Sequence, residues 1–421
     1  MDKFIIQGGK PLNGEIKISG SKNAALPLMV ATLLSPGKYT LHNVPELRDI
    51  RTMAHLLRII GAKIEFADHT LIIDTTQADF PEAPYELVKT MRASIYVLGP
   101  LLARFKAAKV SLPGGCAWGP RPVDLHIKGM KKLGVELNLD GGYIVANCRK
   151  LKGSHIHFDV SSVGATGNVM MAAVLADGMT ILENAASEPE IIDLGHFLIR
   201  MGARIEGLGT KTIQIEGMPG LHPADYTIIP DRIETGTFLC AARITGGKIT
   251  LRNCQPKQLL EVLEKLKESG AEMVIRENEI TLKSTTPIQP VNVTTDVYPG
   301  FPTDMQAQWI ALMSLAAGSS VVTDSIFTDR FTHVPELNRL GAQIVQKNNS
   351  VFIQGVNELK GAPVMSTDLR ASASLVIAAL AAKGKSEVFR VYHIDRGYEK
   401  IELKLQQAGA EISRENAGDV I

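Results

Sequence analysis

The chain has almost no net charge, few cysteines, few aromatic residues and no long apolar run. Its 45 Lys and Arg stand against 44 Asp and Glu, a formal charge of +1 over 421 residues. So even a balance gives no bulk attraction for nucleic acid or for an anionic membrane. The four cysteines, Cys116, Cys148, Cys240 and Cys254, show no metal-ligand spacing and are too sparse for a disulfide framework. The two tryptophans, Trp118 and Trp309, read as packing residues. No apolar stretch reaches the roughly 20 residues that span a bilayer, and the first ten residues lack the apolar core of a signal peptide. The expectation is a reduced, cytoplasmic protein of two or three domains, with no nucleic-acid, membrane or obligate protein partner.

What the chain does have is repetition. A helix-ending signature, Leu57-Arg58-Ile59-Ile60-Gly61-Ala62-Lys63-Ile64, returns at Gly134, Gly202, Gly270, Gly341 and Gly409, about 70 residues apart each time. Glycine there suits a helix C-cap, and the alternating apolar residues after it suit a short strand. Each copy also holds two kinds of helical pattern. One is apolar nearly all round (24–34, 94–103, 168–176, 235–244, 305–317 and 371–382) and belongs inside a domain. The other is amphipathic, as in Leu259-Leu260-Glu261-Val262-Leu263-Glu264-Lys265-Leu266-Lys267, and belongs outside. The unit therefore reads strand, buried helix, strand, exposed helix, two strands. Six such units predict an α/β protein of two similar domains, each with three βαβαββ units around buried helices, an inside-out α/β barrel. The boundaries predicted are 21–229 for one domain, and 1–20 with 230–421 for the other.

One loop stands apart from the repeat. Gly114-Gly115-Cys116-Ala117-Trp118-Gly119-Pro120-Arg121-Pro122-Val123-Asp124-Leu125 has too much glycine and proline for a regular element. It leaves the Cys116 thiol accessible with Arg121 within reach, and a neighbouring cation stabilises a thiolate. Most cysteines are inert and buried; this context points the other way.

Just before each buried helix comes a polar cluster: Ser21-Lys22-Asn23, Met91-Arg92-Ala93-Ser94, Ser162-Val163-Gly164-Ala165-Thr166, Asp231-Arg232-Ile233-Glu234, Pro302-Thr303-Asp304 and Asp368-Leu369-Arg370. Before the exposed helices come Cys116 with Arg121, Glu188, Arg330, and Asp395 with Arg396. Asp231 and Asp368 read equally well as plain N-caps. Equivalent positions of a repeat face one end of their domain. If those ends face each other, Lys22, Arg92, Arg121, Arg330, Arg370 and Arg396 line one cleft. Helix N-termini would add free N–H groups, giving a site for phosphates and carboxylates.

These segments, together with Phe301-Pro302-Thr303-Asp304-Met305-Gln306-Ala307-Gln308, Asp329-Arg330-Phe331 and Asp395-Arg396-Gly397-Tyr398-Glu399, resemble the enolpyruvyl transferase family along the whole chain. The Cys116 loop ending in Arg121-Pro122-Val123-Asp124-Leu125 is similar to the branch that acts on a UDP-sugar rather than on shikimate 3-phosphate. The resemblance implies an N-terminal strand that crosses to complete the second domain. It also implies transfer of the enolpyruvyl group of phosphoenolpyruvate to the 3′-hydroxyl of UDP-N-acetylglucosamine, with no metal or organic cofactor.

Roles follow from the same resemblance. Lys22, Arg121 and Arg396 would hold the phosphate, Arg330 and Arg370 the carboxylate, and Asn23 the tetrahedral intermediate and sugar. Cys116 would act as general acid, and Asp304 as orienting group and base at the sugar hydroxyl. Arg92, Arg121, Pro122, Val123, Asp124, Leu125, Ser162, Val163, Gly164, Asp304 and Ile326 would contact the sugar nucleotide. Two departures are Val160, where some members carry Lys, and Trp118, where an aliphatic residue is common. A rival of another class, a six-repeat DNA clamp, needs a basic inner surface that this charge balance does not favour.

Overall fold

The computed structural model describes residues 2–89, 91–112 and 123–416. They fall into two compact units: a continuous one, Gly20–Ile229, and a split one, Met1–Ser19 with Pro230–Ile421. Each unit contains three four-stranded sheets built to a single plan. In the sheet ordered His155–His157, Met179–Glu183, Thr212–Glu216 and Arg204–Glu206, the first pair is parallel and the others antiparallel. A parallel pair cannot be joined by a tight turn. The connection is the helix Val163–Ala173, whose residues from Ala165 onward are all buried.

The same crossover recurs through Leu98–Phe105, Gln306–Met313 and Leu369–Ala381. The two remaining buried helices, Lys22–Ala31 and Arg232–Ile244, exchange their leading strands. Asn13–Lys17 precedes the first helix but pairs in parallel with Lys248–Arg252 of the split unit. Asp225–Thr227 precedes the second but pairs with Lys38–His42 of the continuous unit. The N-terminal strand Asp2–Gly8 fills the gap between Gly384–Phe389 and Glu411–Asn416. The sheets stay separate. Among the described residues none closes on itself, and each unit is three open sheets packed on apolar helices, the helices-inside arrangement that the repeat predicts.

The six repeated glycines share one conformation, with φ between +86° and +106°. At the first, Gly61 N–H donates to Arg58 C=O at 3.1 Å and Ala62 N–H to Leu57 C=O at 2.9 Å. The same pair of bonds closes the exposed helix at Gly134, Gly202, Gly270, Gly341 and Gly409. This is the Schellman arrangement, which needs a left-handed residue and so selects glycine. Trp309 is fully buried, edge-on to Phe301 at 5.5 Å, a packing residue as expected. No described helix is long and apolar enough to cross a membrane.

The glycines differ in what surrounds them. A Cβ on Gly134 would lie 4.0 Å from Lys150 O, whereas one on Gly61 would lie 2.9 Å from Gln77 O. Gly134→Ala should therefore lose only the backbone term of about 1–2 kcal/mol. Gly61→Ala should lose about 1–3 kcal/mol more from overpacking. Urea unfolding of both variants measures the gap, and equal losses would contradict this account.

Candidate active site

In the split unit the first turns of the three buried helices meet. Asp231 caps Arg232–Ile244, its carboxylate accepting from Ile233 and Glu234 N–H at 2.8 and 2.9 Å. Asp368 caps Leu369–Ala381 through Arg370 and Ala371 N–H. Both are the N-caps that their sequence context allows. Asp304 lies in the short turn Thr303–Met305 that leads into Gln306–Met313.

Two guanidiniums hold the Asp304 carboxylate. Arg330 Nη1 donates to Oδ1 at 2.8 Å and Arg370 Nη2 to Oδ2 at 2.7 Å. The arginine side chains are 9% and 4% exposed, against 25% for Asp304. Burial pushes this carboxyl up, but the charges of Arg370 and then Arg330, with their hydrogen bonds, outweigh it and hold it well below the usual carboxylate range. Arg370 Nη1 also donates to Tyr398 Oη at 3.1 Å, and its guanidinium sits 5.5 Å from that ring's centre. The Tyr398 hydroxyl is fixed in turn by Thr237 Oγ1 at 2.8 Å and Gln308 Nε2 at 3.2 Å. Arg330 Nη1 reaches Thr303 Oγ1 at 3.2 Å, and that hydroxyl donates to buried Asp324 at 2.7 Å. Asp324 also accepts from Ile326 N–H at 2.9 Å, which sets the start of the loop to Arg330. Arg396 ends the turn Val391–Arg396 and is half-buried. Its neighbour Asp395 is gripped by both Nη atoms of Arg414, at 2.6 and 3.0 Å.

In the continuous unit, Ser21 caps Lys22–Ala31, accepting from Ala24 N–H at 3.3 Å. Lys22 Nζ lies 3.5 Å from Asp49 Oδ2, with the side chains 12% and 5% exposed. Asn23 is half-buried in the same turn. Ser162 caps the helix that begins Val163-Gly164, and a Cβ on Gly164 would come within 3.1 Å of His126 Nε2. The start of Asp124–Lys132, with Val123 and Leu125, therefore lies beside 162–164. Asn168 ties the two together, with Nδ2 3.0 Å from His126 Nδ1 and 2.8 Å from Ile95 O, while its Oδ1 accepts from Gly99 N–H at 2.7 Å. Val160 is 63% exposed. Cys116, Trp118, Arg121, Pro122 and the Arg92 side chain lie outside the described residues.

The chain matches the model of the EPSP synthase (3-phosphoshikimate 1-carboxyvinyltransferase) family over residues 6–405. It belongs to the enolpyruvyl transferase family. It is 59% identical to the UDP-N-acetylglucosamine 1-carboxyvinyltransferase of Chloroherpeton thalassium, over 99% of this chain and 97% of that one. It is 54% identical to the same-named protein of Geotalea uraniireducens, over 98% and 99%. Among solved structures it resembles the enolpyruvyl transferase NikO of Streptomyces tendae, with TM-score 0.89, 26% identity and 98% of each chain covered. An EPSP synthase of Acinetobacter baumannii, at 17% identity and TM-score 0.78 over 99% and 100% of the chains, shares the fold.

Three residues of these candidate sites escaped the sequence reading. Asp49, the partner of Lys22, sits 27 positions away and carries no motif. Asn168 opened a stretch read as apolar all round. Tyr398 stood inside a recognised segment, with nothing to mark it as the support of Arg370.

The clamp on Asp304 has a pH signature. Its folded-state value lies below the unfolded one, so its stabilisation is present above the ordinary aspartate value of about 3.9 and is lost as pH falls through the depressed value. Asp304→Asn leaves two guanidiniums facing each other and should lose about 3–5 kcal/mol at pH 7. The gap from the parent protein should narrow below about pH 3.5. Denaturant titrations at several pH values check this, and a gap unchanged in acid would exclude a charge-based clamp.

Proposed function

We propose that the protein transfers the enolpyruvyl group of phosphoenolpyruvate to the 3′-hydroxyl of UDP-N-acetylglucosamine, releasing phosphate, as the first committed step of peptidoglycan synthesis in the cytoplasm. The observation that carries the reading is identity of 54–59% over nearly the full chain to relatives named for that reaction. The charge pattern agrees with it. Phosphoenolpyruvate presents a phosphate and a carboxylate, and a site for it needs several fixed cations. Lys22, Arg121 and Arg396 are the proposed phosphate partners, and Arg330 and Arg370 the carboxylate partners.

The proposed chemistry begins with a proton passing from the Cys116 thiol to the methylene carbon of the enol, which leaves the adjacent carbon electrophilic. The sugar oxygen bonds to that carbon as Asp304 takes the hydroxyl proton. Asn23 supports the tetrahedral intermediate. Loss of a methyl proton and of phosphate then restores the double bond in the product. The same electrophilic carbon is open to attack by the Cys116 sulfur, giving a phospholactoyl adduct. Arg92, 121–125, 162–164 and Ile326 are the proposed grip on the sugar nucleotide. Val160, exposed and uncharged, offers no cation to its diphosphate.

Phosphate release should require both substrates together. Release with shikimate 3-phosphate in place of the UDP-sugar would favour the other branch of the family, whose solved members at 17% identity speak for the fold alone.

The described cysteines narrow the choice of acid. Cys148, Cys240 and Cys254 are buried, and desolvation raises all three thiols, Cys254 to about 11. None is a ready nucleophile or proton donor at neutral pH. An electrophilic phosphoenolpyruvate mimic such as the epoxide fosfomycin should therefore alkylate Cys116 alone, and faster with UDP-N-acetylglucosamine present. Cys116→Ser should abolish labelling and nearly all turnover. Peptide mapping by mass spectrometry decides, and modification at any other cysteine would remove Cys116 from this role.

A further inference from the structure

The carboxylate proposed as the base stands where a ligand carboxylate is expected. Arg330 and Arg370 each give a guanidinium N–H to one oxygen of Asp304, at 2.8 and 2.7 Å. One carboxylate oxygen to each arginine is also how such a pair would receive an incoming carboxylate. The arginines lie deeper than Asp304, which keeps a quarter of its side chain exposed. Asp304 is thus the member of the cluster that a solute meets first. Both cations are fixed from elsewhere, Arg370 by Tyr398 at 3.1 Å and Arg330 by Thr303 at 3.2 Å. They have reason to stay in place when the carboxylate leaves.

We propose that Asp304 is an internal counter-ion that the carboxylate of phosphoenolpyruvate displaces from Arg330 and Arg370, and that this exchange frees Asp304 to accept the proton of the sugar hydroxyl. The inference rests on the functional reading above. While clamped, both oxygens of Asp304 are engaged by cations and its basicity is suppressed. After the exchange, Asp304 lies in a partly buried place beside a second carboxylate and without its arginines. Desolvation and like charge then both favour taking up a proton. The donor substrate in this way arms the base for the acceptor, so a sugar hydroxyl is not deprotonated at a site that holds no donor. The exchange also makes Asp304 a competitor of the donor, lowering its apparent affinity by the fraction of molecules that are clamped.

The test uses phospholactate, which has the phosphate and carboxylate of the donor but no enol to react, and inorganic phosphate, which lacks the carboxylate. Calorimetry would measure both, with saturating UDP-N-acetylglucosamine, on the parent protein and on Asp304→Asn. An amide cannot satisfy two guanidiniums, so the clamp is open from the start. Phospholactate should bind about tenfold or more tightly to the variant, whereas phosphate should change by less than about threefold. Equal tightening of both ligands would show only a general loss of negative charge, and no tightening of phospholactate would show that nothing is displaced. Either result overturns the exchange. A parent protein that binds no phospholactate and releases no phosphate with both substrates would overturn the functional reading as well.

A second measurement does not depend on a substituted protein. Difference infrared spectra of the parent protein with ¹³C-labelled aspartate should show one aspartate carboxylate stretch shifting with phospholactate and not with phosphate. An unshifted spectrum with phospholactate would equally refute the exchange.

Discussion

Three apolar helices packed inside a unit have to begin somewhere, and their first turns carry N–H groups that the core cannot satisfy. The polar features of both units follow from that constraint. Ser21, Ser162, Asp231 and Asp368 meet it with side-chain caps. In the split unit the ends lie close enough for a residue of one helix to serve another. Arg370, in the first turn of Leu369–Ala381, reaches Asp304 at the entry to Gln306–Met313 and Tyr398 beyond it. Tyr398 is held by Thr237 from Arg232–Ile244 and by Gln308. All three buried helices are therefore cross-linked at one polar point, where their aligned dipoles also favour negative charge. A point that favours negative charge is the direct consequence of building a core from parallel crossover helices.

Arginine suits this point better than lysine. Its planar fork can give one N–H to a carboxylate and another to a neighbouring hydroxyl while keeping its orientation. Arg370 does this between Asp304 and Tyr398, and Arg330 does it between Asp304 and Thr303. The rigidity that makes the clamp stabilising also preorganises the cations for a ligand of the same shape. The two hydrogen-bonded pairs that stabilise the clamp are thus the same two that the proposed exchange would break.

The parts legible in the sequence were those set by local rules. The six glycines are required by a left-handed helix end, so their spacing gave the repeat without knowledge of any contact. The apolar stretches lacked a polar face and had to be buried. The strand exchange was not local in that sense: nothing in Asn13–Lys17 or Asp225–Thr227 says which sheet it will join, and only the family resemblance suggested a crossing strand. The site divided in the same way. Residue types before each helix marked Lys22, Asp304 and Arg370, but their partners came from tertiary packing, Asp49 27 positions from Lys22 and Asp304 66 from Arg370. Asn168 was hidden because one buried amide hardly changes the character of an otherwise apolar helix, although its side chain bonds three other segments.

Those distant carboxylates have a common cause. A cation sheltered from water and left without a counter-ion is costly, so a protein that gathers cations for an anionic ligand must neutralise them when no ligand is present. Lys22 has Asp49, and Arg330 and Arg370 share Asp304. Arg414 serves the complementary need beside Arg396, holding Asp395 and Glu402. Within each unit these acidic residues set the electrostatic state against which any anion drawn to the cations must compete.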